Sequence, residues 1–330
     1  MKELTQKTKH KPTKTEIMQA LFRNSALAMV FEANSEKPGN VTPTKPFKNM
    51  SFETYIYNSI VIAEKLSELA SYPRVRVGKT ILNSVEKMVR TSGKGVNTHL
   101  GTILLLAPLC AAYTNAYHKN AYPISSQKIK DGVKIKNVIS KDLLRDELKV
   151  VLNSLDYKDS IDIFHAVNRA NASGLTDVEK LDVRDANTLK ELKTKKIPVK
   201  AWFAEGIKDN GVCYEYLTDY SLSFDIGWKA LHDGLGKGLS ISHAIVADFI
   251  EILSRFPDNL IMGKCGRKVA EDTSKRASEI ISLGSVYTKE GRNEIENLDK
   301  ELRAKNANPG TTADIICSTL FIAFASGLEI

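Results

Sequence analysis

The chain of 330 residues carries 47 lysine and arginine residues against 39 aspartate and glutamate residues, a formal net charge of +8. Hydrophobic residues make up 42% and charged residues 26%, which excludes a wholly disordered chain and allows a sizeable buried core. The 19 glycines and 10 prolines are too few for a fibrous architecture. The four cysteines lie far apart and form no CxxC pair, so we expect free thiols in a cytosolic protein and no zinc cluster.

The N-terminal residues differ in composition from the rest of the chain. Residues 1–14 are polar and lysine-rich, lack the apolar centre of a secretory signal, and are predicted to form a flexible basic tail. Residues 15–330 are predicted to form one domain. Within it the one dense basic cluster is Lys193, Lys195 and Lys196, which has no interleaved aromatic side chains to stack on bases. We therefore predict no nucleic-acid partner, and at most attraction to small polyanions such as nucleotides.

Helical periodicity dominates the chain from its first apolar residues. Residues 16–32 place apolar side chains at three-to-four residue spacing and stop before Pro38-Gly39, and residues 51–70 repeat the pattern after a Ser51 cap. Further helices are predicted over residues 75–91, 98–117, 140–153, 159–171, 185–194, 199–209, 212–222, 224–234, 240–255, 267–283, 289–305 and 311–326. Residues 133–139 suggest a strand. The predicted fold is all-α, a single large multi-helix domain with a buried central helix core and an active site built from loops.

Two apolar segments could either cross a membrane or form buried core helices. Residues 100–112 contain Pro108 and are too short to cross a bilayer, and residues 315–328 also fall short of the roughly 20 residues that a span requires. We predict that both are buried helices, with no membrane partner and a cytoplasmic location.

Four segments interrupt the helical pattern with glycine, proline, asparagine and threonine. They are residues 37–41, 95–101, 258–266 and 308–314. A helix N-terminus has unpaired N–H groups and partial positive charge, so a glycine-lined or threonine-capped start can hold phosphate. Each segment also has a simpler interpretation, in which Gly39 forms a turn and Asn97, Thr98 or Thr311 caps a helix. Four such loops in one helical chain favour a polar site above a buried core.

Carboxylates accompany these loops. Asp159, Asp162 and His165 share one face of a predicted helix, where they could hold Mg²⁺ or move a proton, or could simply be solvated. Asp314 precedes a strongly apolar helix, where a carboxylate needs a partner, and Glu32 lies one turn before residues 37–39.

Several familiar kinds of site are missing from the sequence. The histidines show no metal-ligand spacing, and Cys265 has no accompanying Cys/His pattern, so a zinc enzyme and a cysteine nucleophile are both disfavoured. Neither a Walker-type loop nor GxGxxG after a strand is present. Nucleotide binding would therefore be of a less common kind.

The same segments, in this order, resemble the triphosphoribosyl-dephospho-CoA synthase family. The matching stretches are Glu32 with KPGNV (37–41), GVNTHLG (95–101), Asp162 with Gly174-Leu175 and Asp182-Val183, RFPD (255–258) with Lys264 and Gly266, and NPGTTAD (308–314). They run from about residue 20 to residue 326.

The resemblance implies a helical transferase that joins ATP to 3′-dephospho-CoA and releases adenine. Its product is the precursor of the prosthetic group on the acyl carrier subunits of citrate lyase and malonate decarboxylase. Such a reaction needs carboxylate charge near an oxocarbenium-like transition state, a base, a proton donor and Mg²⁺.

The resemblance also suggests roles for particular residues. Glu32, Asp162 and Asp314 are candidate catalytic residues, and Asp162 and Asp182 are candidate Mg²⁺ ligands. The candidate nucleotide-binding residues are Lys37, Gly39, Asn40, Asn97, Thr98, Gly101, Lys264, Asn308, Gly310, Thr311 and Thr312. One departure from the family is Asn49, at a position where the family usually has an acidic residue.

Two other functions remain open from the sequence. A nucleosidase-like hydrolase would use water in place of the 2′-hydroxyl group, and a non-catalytic nucleotide-binding helical protein would bind without turnover.

Overall fold

The computed structural model describes residues 13–46, 50–91, 97–119, 139–172, 174–206 and 208–330. Within these ranges the chain is helical and forms one domain, which confirms the predicted all-α fold. The α-helices are α1 (Lys14–Asn34), α2 (Phe52–Ser67), α3 (Val77–Thr91), α4 (Leu100–His118), α5 (Lys141–Ser154), α6 (Tyr157–Arg169), α7 (Ala186–Thr194), α8 (Val199–Phe203), α9 (Gly211–Leu217), α10 (Trp228–Gly236), α11 (Ile241–Arg255), α12 (Asn259–Cys265), α13 (Arg267–Ser282), α14 (Lys289–Ala304) and α15 (Gly310–Ala325).

The centre of the fold is the pair α4 and α15, which pack against each other and against α1. Almost every side chain of both helices is buried. By length and composition α4 could cross a membrane, but 89% of its most apolar stretch is buried inside the fold, as predicted for a core helix.

Pro108 lies inside α4 and is accommodated by a neighbouring hydroxyl group. Proline has no N–H to donate to the carbonyl four residues earlier, which is that of Leu104. The Tyr216 hydroxyl donates to this carbonyl oxygen at 2.7 Å, and Tyr220 donates to the Leu105 oxygen at 3.0 Å. Two buried tyrosines thus complete the hydrogen bonding of the central helix.

The structure corrects several of the predicted elements. Predicted helix 199–209 is α-helical only to Phe203 and continues as a 3-10 helix over Ala204–Gly206. Residues 258–266 were predicted to interrupt the helices but contain α12, because the Asp258 carboxylate caps the backbone N–H groups of Leu260 and Ile261 at 2.9 and 3.1 Å. Predicted helix 212–222 ends at Leu217, because Asp219 and Tyr220 have left-handed backbone angles. A π-helical segment, Leu222–Gly227, follows and leads into α10.

The N-terminal tail and the suggested strand lie largely outside the residues that the structure describes. Thr13 caps α1 and Lys14 is its first residue, so the helix begins one residue before the predicted domain boundary. The remaining tail, residues 1–12, lies outside the described residues, as do residues 133–138 of the suggested strand and Asn49.

Candidate active site

A cavity of about 280 Å³ lies where the N-terminal ends of α4, α9, α12 and α15 converge. Its wall is completed by the C-terminal end of α1, the turn after it, and residues 174–183, which form no helix. Its volume is near the lower end of the range usual for ligand sites. The four loops predicted from the sequence therefore contribute to a single cavity.

Asp314 joins α15 to the start of α4. Its Oδ1 accepts hydrogen bonds from the Thr102 N–H at 2.8 Å and the Thr102 hydroxyl at 2.6 Å. Its Oδ2 lies so close to Gly101 that a Cβ at that position would collide with it. Burial raises the pKa of Asp314 to about 8, the hydrogen bonds from Thr102 oppose the rise, and the charge of Glu32 adds to it. Asp314 therefore presents a protonated carboxyl group to the cavity near neutral pH.

Glu32 forms a buried ion pair at the end of α1. The Lys37 Nζ lies 3.0 Å from Glu32 Oε1, and the ammonium group also donates to the carbonyl oxygens of Glu32 and Ser35. Burial raises the pKa of Glu32 above its ordinary value, and the charge and hydrogen bond of the Lys37 ammonium oppose that rise. Lys37 is 1% exposed and does not line the cavity, so it stabilises Glu32 without being accessible to a ligand there.

The turn that contains Gly39 and Asn40 is fixed to α14. Gly39 has φ of 74°, and its N–H donates to Asp299 Oδ1 at 2.8 Å. The Arg303 guanidinium donates to the Asn40 carbonyl oxygen. The Asn40 Nδ2 in turn donates to Asn308 Oδ1 at 2.6 Å, just before α15. Gly39 serves the turn, whereas Asn40 and Asn308 line the cavity.

Asp258 connects α12 to α15. Its Oδ1 caps α12, while its Oδ2 accepts from the Thr312 N–H at 2.7 Å and the Thr312 hydroxyl at 2.9 Å. Thr312 is thereby occupied with Asp258 and does not line the cavity, whereas Gly310 and Thr311 do.

Two buried amide groups offer donors to a ligand. Asn259, the first residue of α12, accepts from the Gly211 N–H at 3.0 Å through Oδ1. The Oδ1 of Asn308 is likewise occupied, by Asn40. Both residues line the cavity and are at most 8% exposed, and their Nδ2 groups donate to no described residue. The amides can therefore donate to phosphate or hydroxyl oxygens.

The start of α4 adds a buried histidine. Asn97 accepts from the Leu100 N–H at 3.1 Å and so caps the helix. The His99 ring contacts the Thr98 hydroxyl at 2.7 Å and lies 5.0 Å from the Tyr55 ring. Burial lowers the pKa of His99 to about 3, so the ring is neutral.

The two predicted metal ligands, Asp162 and Asp182, are each paired with an arginine. Asp162 lies on α6 with its Oδ2 3.2 Å from Arg76, and it does not line the cavity. Asp182 lines the cavity, but both of its oxygens accept from Arg184, which lowers the pKa of Asp182. Among the described residues, no three His, Cys, Asp or Glu side chains are grouped to hold a metal ion. The assignment of Mg²⁺ to this pair remains a prediction.

Most of the residues singled out from the sequence line one cavity. They are Glu32, Asn40, Asn97, Thr98, Gly101, Asp182, Lys264, Asn308, Gly310, Thr311 and Asp314. The structure does not bring Lys37, Gly39, Asp162 and Thr312 to its wall.

The lining residues that sequence reasoning missed include Tyr55, His99, Asn259, Trp202 and the carboxylate Glu205. Tyr55 was interpreted as a core position of α2. His99 and Asn259 lie within segments 95–101 and 258–266, and that position is the one sequence feature that could have indicated them as site residues. Trp202 gave no signal of its own.

A family model described as ATP:dephospho-CoA triphosphoribosyl transferase (CitG) matches residues 18–329. The 2-(5''-triphosphoribosyl)-3'-dephosphocoenzyme-A synthase of Klebsiella pneumoniae is 23% identical over 129 residues, which cover 39% of this chain and 44% of that protein. A Pseudomonas paraeruginosa protein provisionally given the same name is 27% identical over 95 residues, 29% of this chain and 31% of the relative. The chain thus spans less than half the length of these curated relatives.

A solved structure gives broader coverage. A protein from Archaeoglobus fulgidus, provisionally assigned as a triphosphoribosyl-dephospho-CoA synthase, superposes with a TM-score of 0.60 at 24% identity, covering 83% of this chain and 100% of that one. At this identity the likeness establishes the fold alone. The family model extends over nearly all of the chain, and on that ground the chain belongs to the ATP:dephospho-CoA triphosphoribosyl transferase family.

Proposed function

We propose that the protein transfers the triphosphoribosyl group of ATP to the 2′-hydroxyl group of 3′-dephospho-CoA and releases adenine. Family membership supports the substrates. The observation that carries the chemistry is that Glu32 and Asp314 line one cavity with different partners: Glu32 is paired with the Lys37 ammonium, whereas Asp314 accepts from the neutral donors of Thr102. We expect the product to be the prosthetic-group precursor of citrate lyase or malonate decarboxylase.

The reaction breaks the bond between ribose C1′ of ATP and adenine N9, and forms a bond from C1′ to the acceptor 2′-oxygen. The hydroxyl group loses a proton and adenine gains one, so the step is neutral overall. Positive charge develops on the ribose as the base departs, as in glycoside hydrolysis. A site for this reaction needs one protonated and one ionised group.

Asp314 is the proton donor in this mechanism. Its Oδ1 is fixed by the two hydrogen bonds from Thr102, so the proton is carried by Oδ2 above Gly101. Donation from Oδ2 to a ring nitrogen of adenine would neutralise the leaving group as the bond breaks. General acid catalysis of this kind contributes about 10²–10⁴-fold in rate.

Glu32 is the ionised partner. Its Oε1 is held by Lys37, and its side chain lines the same cavity as Asp314. The carboxylate would stabilise positive charge on the ribose and take up the proton of the acceptor hydroxyl group. Return of that proton to Asp314 completes the cycle.

Phosphate binding is assigned to the donors around the start of α15. Asn308 and Asn259 supply Nδ2 donors, Thr311 lies at the first turn of the helix, and Lys264 lines the cavity. A helix N-terminus adds partial positive charge to such a site.

The two predicted Mg²⁺ ligands, Asp162 and Asp182, each contact an arginine, which competes with a resident ion for their carboxylates. We therefore propose that Mg²⁺ enters with its substrate, as MgATP, and no step of the mechanism is assigned to it.

Adenine release with and without the acceptor tests the proposal. With MgATP and dephospho-CoA, the transferase releases adenine only when both are present. Adenine release from MgATP alone would favour the hydrolase, and nucleotide binding without any release would favour a non-catalytic protein.

A further inference from the structure

One side of the cavity is lined by apolar side chains that the mechanism does not use. We call it the apolar wall and define it by Leu175, Val178, Leu181, Val183, Trp202 and Val212. The first four come from the non-helical residues 174–183, and the last two come from α8 and α9.

The apolar wall is held in place at both ends. The Trp202 indole N–H donates to the Leu181 carbonyl oxygen at 2.9 Å, and the Asn168 amide donates to the Val183 carbonyl oxygen at 3.0 Å. At the other end Gly174 packs so tightly on Gly263 that a Cβ there would collide with the Gly174 backbone. These contacts make the wall a preformed surface.

The wall offers little to a charged ligand. The indole N–H of Trp202 is occupied by Leu181, and the Asp182 carboxylate between Leu181 and Val183 is occupied by Arg184. An uncharged, flexible group with methyl and methylene surface is the kind of ligand that such a wall binds.

One group of the proposed substrates has these properties, namely the pantetheine arm of dephospho-CoA. The adenine of ATP and the ribose of the acceptor must lie at the reacting bond, beside Glu32 and Asp314. The phosphates of both substrates need donors. The pantetheine arm of dephospho-CoA is uncharged, carries a gem-dimethyl group and methylenes, and is separated from the reacting hydroxyl group by a ribose and a pyrophosphate.

We propose that the apolar wall is the binding subsite for the pantetheine arm of the acceptor. This inference rests on the proposed function for the identity of the acceptor. The arm would lie along residues 174–183 while its nucleotide reaches the carboxylates.

Equilibrium binding to two ligands tests the subsite without turnover. Calorimetry with dephospho-CoA and with ADP, which is the same nucleotide without the arm, measures what the arm contributes. Leu181→Ala is expected to weaken dephospho-CoA binding about tenfold and to leave ADP and ATP binding within twofold.

Leu189→Ala is the matched control. Leu189 is also partly buried and packed on the core, but it lies on α7 and does not line the cavity. This variant is expected to leave binding of both ligands within twofold, and thermal unfolding checks that both variants are folded.

Two results would overturn the subsite. One is unchanged dephospho-CoA binding in Leu181→Ala. The other is an equal loss of affinity for dephospho-CoA, ADP and ATP, which would mean that an adenine ring packs against the apolar wall. The expected binding pattern without any turnover would contradict the transfer reaction alone. Turnover without that pattern would contradict the subsite alone.

Discussion

Asp314 is the residue on which the chemistry depends most. In Asp314→Asn the amide oxygen can still accept both hydrogen bonds from Thr102, but the acidic proton is lost. We expect adenine release to fall about 10²–10⁴-fold while ATP binding changes little, because only the proton transfer is removed. Chromatographic measurement of adenine, with calorimetry for ATP, tests this. A loss smaller than about tenfold in release would show that another group protonates the base.

Gly101 leaves the space that Asp314 Oδ2 occupies. We expect Gly101→Ala to lower the free energy of unfolding by about 1–3 kcal/mol and to abolish most adenine release, because the new methyl group displaces the carboxyl group. Urea unfolding and the adenine assay measure the two effects.

The matched control is Gly236→Ala on α10, where a Cβ would meet no atom within 4 Å. It is expected to change the free energy of unfolding by less than about 1 kcal/mol and to retain activity. Equal losses of activity in the two variants would contradict the steric explanation.

At the scale of elements, Asp258 links α12 and α15 through one carboxylate. We expect Asp258→Ala to lower the free energy of unfolding by about 2–4 kcal/mol, because both helices lose their cap and the Thr312 donors are left buried. Urea unfolding is the measurement.

Asp185→Ala serves as the comparison, because Asp185 caps α7 in the same way through the Asn187 N–H but at an exposed position. Its loss is expected to cost about 1 kcal/mol. If the two variants were equally stable, the link through Thr312 would contribute nothing.

The Asp258 carboxylate also explains why one of the helices was not predicted from the sequence. Periodicity predicted the long helices, whose apolar residues recur every three or four positions. It missed α12, because seven residues give too few turns for a period and the capping by Asp258 depends on its three-dimensional partners. The early end of α9 depends on left-handed residues Asp219 and Tyr220, neither of which is glycine.

At the scale of the whole molecule, buried acids set the pH dependence of stability. Burial raises the pKa of Asp314 and of Glu215 to about 8, against about 4 in an unfolded chain. The folded protein therefore holds more protons than the unfolded chain between these values. Stability contributed by each group is present at low pH and is lost as pH rises through about 8, by up to about 1.4 kcal/mol per pH unit.

Urea unfolding at pH 5.5 and 7.5 measures this effect. The fall in unfolding free energy between the two values is expected to be smaller by about 2 kcal/mol in Asp314→Asn and in Glu215→Gln than in the wild type. An unchanged difference in Asp314→Asn would mean that Asp314 is ionised in the folded protein.

The sequence allowed the fold class and the four loops that contribute to the cavity to be predicted, since glycine and asparagine residues mark the helix ends that meet there. It did not distinguish side chains that face the cavity from those that support it. Thr312 directly follows the lining residue Thr311, and Lys37 lies in the same loop as the lining residue Asn40, yet Thr312 contacts Asp258 and Lys37 contacts Glu32. Such a choice is made by partners distant in sequence, which no local pattern records.

The mass of the acceptor after reaction tests the central claim most directly. Incubation of the protein with MgATP and dephospho-CoA should convert the acceptor into a species heavier by the mass of ATP minus adenine, with one adenine formed per acceptor consumed. An unmodified acceptor alongside free adenine and ribose triphosphate would contradict transfer, and so would an acceptor heavier by one phosphoryl group.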